Sequence, residues 1–233
     1  MSPEIAEAVP QLAPQEIPNI DDIVIEDGKP VDNIFTEKQM RLLTEPLYSS
    51  WSGPGDGRPF LVLANVGLFY AVKNPPIVPD VMLSLDVFAK DFSKEENNSY
   101  FVWIMGKTPD VTIEIVSDRR GGEETSKMRD YARIGIPYYV IFDPREILSR
   151  NVLRAFQRRG RSYQPSDPHW FPEVELGLTL WNGSFETWER QWLRWCDEEG
   201  RAIPTGHERA EQARAEIEQL KKQLKTSASK PKK

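Results

Sequence analysis

The sequence predicts an α/β fold, a mixed β-sheet flanked by helices and followed by a C-terminal charged helix. Three observations carry this. Between Phe60 and Pro144, short apolar runs alternate with turn residues, the pattern of strands. Inside that stretch an apolar run (111–117), a helical pattern (123–135) and a second apolar run (136–142) follow one another. That order calls for a crossover and a sheet with parallel members. Finally, 39% of the 233 residues are hydrophobic and these are concentrated centrally, so the ends are polar. The expected organisation is an acidic flexible leader (1–32), one core-forming domain (33–200), and a charged helix with a basic tail (201–233).

Each element has its own signal. The leader holds eight acidic residues against Lys29, and its prolines break helical periodicity. Residues 34–51 predict a helix ending near Pro46, followed by the turn cluster SGPGDGRP. That cluster lacks a GxxxxGK pattern, so no nucleotide cofactor is expected. FLVLAN, VGLFYAV, DVMLSL, YFVWIM and VTIEIVS are strand candidates. EETSKMRDYARIG predicts a helix with acids in its first turn, Arg133 in its last and Gly135 as its cap. IPYYVIFDP predicts a buried strand stopped at Asp143-Pro144, and NVLRAFQRRGRSYQP a hairpin turning at Arg159-Gly160. Five of the seven tryptophans lie within 168–199 and suit an aromatic layer closing the core, with base stacking as the alternative. After Pro204, Ala210, Ala213, Ile217, Leu220 and Leu224 repeat at coiled-coil spacing. The run is short, and both a homodimeric pairing helix and a solvated helix fit it.

Composition excludes several functions. One cysteine, Cys196, rules out a disulfide framework or a four-cysteine zinc site within one chain. His169 and His207 are the only histidines, which excludes a HExxH motif and argues against histidine-centred catalysis. No apolar run reaches the ~18 residues of a membrane span. The N-terminus does not read as a signal peptide, so a cytoplasmic protein without a membrane partner is expected. Net charge is −6, so nucleic-acid binding would need a local basic patch.

One constellation could carry chemistry. In IVPDVMLSL, Asp80 follows Pro79 and opens an apolar strand. In DVTIEIVSD, alternation puts Glu114 on one face with Thr112 and Val116, opposite Val111, Ile113 and Ile115. A mid-strand carboxylate is costly to bury unpaired, so a cationic side chain or a metal ion should lie against it. Lys127, in the first turns of the following helix, can point back toward Glu114, with Tyr131 on the same helical face. An ion pair would serve structure alone, and a metal site would serve catalysis.

PDV, a spacer, VTIEIVS and then K-x-x-x-Y-x-x-x-G-I-P-Y-Y-V-I-F-D-P resemble the Uma-two family of endonucleases, in the PD-(D/E)XK restriction-endonuclease-like superfamily. The resemblance is strongest over 76–144 and continues through WLRWCDEEGRAIP into the charged helix. It implies a restriction-endonuclease-like sheet with a metal site at its strand ends. By position, Asp80 and Glu114 would bind Mg²⁺ (or Mn²⁺), and Lys127 would assist the attacking water. Val116 stands where the superfamily's usual lysine would be, and Ser117-Asp118 replaces the family's Ser-Pro. Glu45 is a weaker candidate for a first-helix acid.

The partner implied is DNA. Residues 145–161 hold six arginines against Glu146. Arg119, Arg120, Arg158 and Arg159 are the candidate nucleic-acid contacts. Two functions follow: a Mg²⁺-dependent endodeoxyribonuclease, or an inactive nuclease-fold protein that binds nucleic acid or assembles with partners.

Overall fold

A computed structural model describes residues 33–228, apart from 56, 89, 90, 92, 95, 96 and 118–120. The acidic leader and the extreme basic tail therefore lie outside the described residues. Helix α1 (Ile34–Ser50) starts at Asn33, whose side chain accepts from the Thr36 N–H. It does not end near Pro46 but runs one turn further. Leu43 and Leu47, on either side of Pro46, are fully buried, and that packing holds the last turn despite the missing proline N–H.

Five of the expected runs build the main sheet. Its strands are β1 (Phe60–Ala64), β3 (Val81–Leu85), β5 (Val111–Ile115), β6 (Tyr138–Phe142), β7 (Leu153–Arg159) and β8 (Ser162–Ser166), in the order β1-β3-β5-β6-β7-β8. Only β5 and β6 are parallel. Their connection is the predicted crossover, a wide π turn (Glu123–Lys127) leading into α3 (Met128–Ile134), which Gly135 closes at φ 101°. Asp143 stops β6 by turning its carboxylate onto the backbone N–H groups of Ile147, Leu148 and Ser149. The β7–β8 hairpin turns at Gly160, with φ 62°.

Two short strands, β2 (Leu68–Phe69) and β4 (Tyr100–Phe101), form a separate parallel pair. YFVWIM is therefore a strand only at its start: Val102–Met105 is the short helix α2, ended by Gly106 at φ 83°. An apolar run this short carries no period that separates the two states.

The sheet has two apolar faces. Val111, Ile113 and Ile115 pack with α1 in one cluster. Met82, Val116, Tyr139 and Ile141 pack with Tyr131 of α3 in the other. The tryptophan-rich segment forms a long hairpin, β9 (Gly177–Phe185) and β10 (Trp188–Cys196), whose inner end joins the α1 cluster through Leu178, Leu193 and Trp195. Trp192 and Trp195 are buried as the aromatic-layer reading expects. Helix α4 (Gly206–Ala228) begins with a reciprocal cap: Thr205 Oγ1 accepts from Glu208 N–H and Glu208 Oε2 from Thr205 N–H. Its expected seam residues Ile217, Leu220 and Leu224 are exposed.

Candidate active site

Because β3 and β5 pair antiparallel with Val81 opposite Ile113, Asp80 arrives beside the C-terminal end of β5. Its Oδ2 accepts from the Ile115 N–H at 2.6 Å. A side chain thus supplies the acceptor where the β3–β5 ladder has stopped, and the sheet itself fixes the carboxylate.

Glu114 points from β5 to the α3 face, as alternation predicts, and is fully buried. The π turn brings Lys127 Nζ to 2.7 Å from its Oε2, and the next turn brings the Tyr131 hydroxyl to 2.5 Å from its Oε1. Lys127 and Tyr131 are four residues apart and so share a helical face. The carboxylate is therefore held at both oxygens by groups arriving from one side. Lys127 remains 27% exposed, so the cluster opens to solvent through its ammonium.

Burial pushes the Glu114 carboxyl above the usual carboxylate range, against Lys127 and Tyr131, which favour its charged form. Burial also works against the Lys127 ammonium, but the charges of Glu114, Asp80 and Glu123 outweigh it and raise the amine. Lys127 is consequently a hydrogen-bond donor and a fixed positive charge. Burial, then the nearby Glu114, drives the Tyr131 hydroxyl well above its ordinary range, so it too only donates.

Glu123 is a member that sequence reading missed. It is 5% exposed, its Oε2 is buried without a hydrogen-bond partner, and its charge acts on both Glu114 and Lys127. The Lys127 N–H reaches back to the Gly122 carbonyl at 3.0 Å, closing the wide turn that tucks Glu123 inward. A Cβ at Gly121 would stand 1.8 Å from Glu123 Oε1, so Gly121 must lack one. The legible signal was Gly121-Gly122 directly before an acid.

Of the expected arginines, Arg158 and Arg159 do not gather here. Arg119 and Arg120 lie outside the described residues. Arg158 donates from Nε to the Ala132 carbonyl at 2.8 Å and serves the end of α3. Arg159 is exposed and bonds Gln157. Both sit at the far end of β7 from the row Glu114–Ile141–Arg154 that crosses β5, β6 and β7. Arg154 lies in that row, paired with Glu124 of the π turn. Glu45 accepts from the Gly206 N–H at the start of α4, which gives it a structural role.

Among the described residues, no group of three or more His, Cys, Asp or Glu side chains stands ready to hold a metal ion. The donor chemistry nevertheless suits a hard divalent cation. Asp80, Glu114 and Glu123 offer only carboxylate oxygens, the ligands such ions prefer. The charges of all three act on the Lys127 ammonium. Among the described residues, the buried Glu123 Oε2 has no hydrogen-bond partner.

With this geometry in view, comparison with known proteins is informative. A family model, Uma2, described as "Putative restriction endonuclease", matches residues 11–185. That span includes every residue of the cluster. No curated protein matches the chain.

Proposed function

The chain belongs to the Uma2 family, and from that premise we propose that it is a divalent-metal-dependent endonuclease acting on DNA, with Asp80, Glu114 and Lys127 as its site. The observation that carries this reading is the junction of Asp80 and Glu114 at one sheet end, with Lys127 bonded to Glu114. Asp80 and Glu114 would hold the ion, Mg²⁺ or Mn²⁺. When bound, such an ion polarises the phosphate and lowers the pKa of water.

The chain's own groups do the rest. The Ile115 N–H and Tyr131 hydroxyl lock Asp80 and Glu114 in orientation. Lys127, kept protonated by its acidic neighbours, orients the water and stabilises charge developing on the phosphate. Neither histidine enters the site: the His169 ring bonds Asp167 on the surface.

A second reading has one observation in its favour. Lys127 and Tyr131 already occupy both Glu114 oxygens, which is also how a purely structural buried acid is satisfied. Titration calorimetry separates the two. Mg²⁺ or Mn²⁺ should bind the wild type and lose affinity for Glu114→Gln. Absence of binding to the wild type would favour the structural reading. The dimer expected from the α4 spacing belongs to the same proposal, and light scattering of the full chain and of Leu220→Glu tests it. A doubled mass that falls to the monomer in the variant supports it.

A further inference from the structure

A recess of about 630 Å³ opens at the same end of the sheet as Asp80 and Glu114. Val116, two residues beyond Glu114, lines it just past β5, and Pro144 and Arg145 line it just past β6. The start of α1 contributes Phe35, and β10 contributes Trp188 and Arg190. Arg145 is anchored by a bond from its Nη2 to the Ser117 carbonyl, three residues after Glu114. The Arg190 guanidinium lies 5.4 Å from the Trp188 ring and 5.9 Å from the Phe35 ring. Among the described residues, no acidic side chain lines the recess.

These features specify the occupant's chemistry. Two arginines in one lining select an anion. Aromatic rings beside a guanidinium plane select a flat π system. The volume falls in the ~300–1000 Å³ range of sites that enclose one small ligand. An anionic, flat-ringed unit of that size, at the same end of the sheet as the proposed cleaving centre, fits one nucleotide of a strand. Bases inside a duplex are stacked on one another and cannot offer a face to Trp188 unless unpaired.

We propose that the recess lined by Phe35, Arg145, Trp188 and Arg190 binds an unpaired nucleotide of the DNA strand presented to the site, so that the enzyme acts on single-stranded or frayed DNA in preference to intact duplex. This rests on the endonuclease reading above. The base stacks at Trp188 and Arg190, and the adjacent phosphate meets Arg145. The strand would then run past Val116 toward Glu114.

Binding without cleavage tests it. The Glu114→Gln chain, in EDTA, is titrated with a fluorescein-labelled single-stranded DNA twelve-mer and with a blunt duplex of the same sequence. The single strand should bind at least about tenfold more tightly and quench tryptophan emission. Trp188→Leu and Arg190→Gln should each weaken single-strand binding about tenfold, with unchanged circular dichroism, and leave duplex binding unaltered. Equal affinity for both DNAs, or single-strand affinity that survives both substitutions, overturns the proposal. So does emission that changes with protein concentration instead of DNA, which would place a second copy of the chain in the recess. Failure of the nuclease reading looks different: DNA binding follows these expectations while the wild type with Mg²⁺ cuts nothing.

Discussion

Lys127 reaches Glu114 from the wide π turn that opens the crossover. The two are thirteen residues apart, yet the ammonium lies 2.7 Å from Glu114 Oε2. The π turn at Glu123–Lys127 makes one residue of the crossover extra. It carries Lys127 over the end of β5 while α3 keeps Tyr131 and Ala132 packed on the sheet. In the proposed site the lysine absent at Val116 would come from this next element, and Val116 fills the apolar face.

The first prediction concerns that ammonium. Lys127→Met should lower cleavage by about 10²–10³, the loss seen when one preorganised donor is removed. Stability should fall by about 1–3 kcal/mol. A fully buried pair would lose about 3–5 kcal/mol on losing one partner, but Lys127 is 27% exposed and water compensates part of it. Denaturant unfolding beside a nicking assay measures both.

Tyr131 acts through Glu114. Tyr131→Phe removes only the 2.5 Å hydrogen bond to Oε1. A hydrogen bond to a charged group is worth about 1.5–3 kcal/mol, and the variant should lose that much stability. If Tyr131 also holds Glu114 in orientation, cleavage should fall with KM nearly unchanged. A change in KM alone would assign Tyr131 to substrate binding.

Glu114 makes stability depend on pH with a definite sign. Its folded pKa lies above the unfolded value, so the folded state holds the proton more tightly. Stability contributed by this group therefore falls as pH rises from about 4.5 through the folded pKa. Glu114→Gln cannot titrate. The stability difference should shift in favour of the variant across that interval and then flatten, as read from urea unfolding between pH 4 and pH 8.

Cys196 should be chemically silent. It is buried at the end of β10, and burial pushes its thiol up to about 11. Little thiolate exists near neutral pH, so Ellman's reagent should modify Cys196 only at the rate of unfolding. Rapid labelling of the native protein would show that the end of the β9–β10 hairpin opens.

Much of the site was legible because it rests on strand alternation. Glu114 faces Thr112 and Val116, and one ordered set of residues names Asp80, Glu114, Lys127 and Tyr131. Glu123 was hidden, since its burial comes from the π turn and a contact over Gly121 that no periodicity reveals. Arg158 and Arg159 were misplaced for a different reason. Charge along a hairpin is visible in sequence, but which end of β7 lies near β5's terminus depends on sheet topology. The β9–β10 hairpin escaped notice because Glu186 and Thr187 take positive φ without a glycine or asparagine to announce the turn. The recess at that sheet end joins residues from α1, β10 and the segments just after β5 and β6, which only the fold brings together.

The central claim is that Asp80 and Glu114 make a metal-dependent nuclease site. Its most direct test is supercoiled-plasmid nicking by the wild type, Asp80→Asn and Glu114→Gln, each with Mg²⁺ and with EDTA. The account predicts nicking by the wild type with Mg²⁺ alone, abolished by EDTA and by either substitution while circular dichroism stays unchanged. Nicking that persists in both variants, or a folded wild type that leaves the plasmid intact with Mg²⁺ and with Mn²⁺, would contradict it.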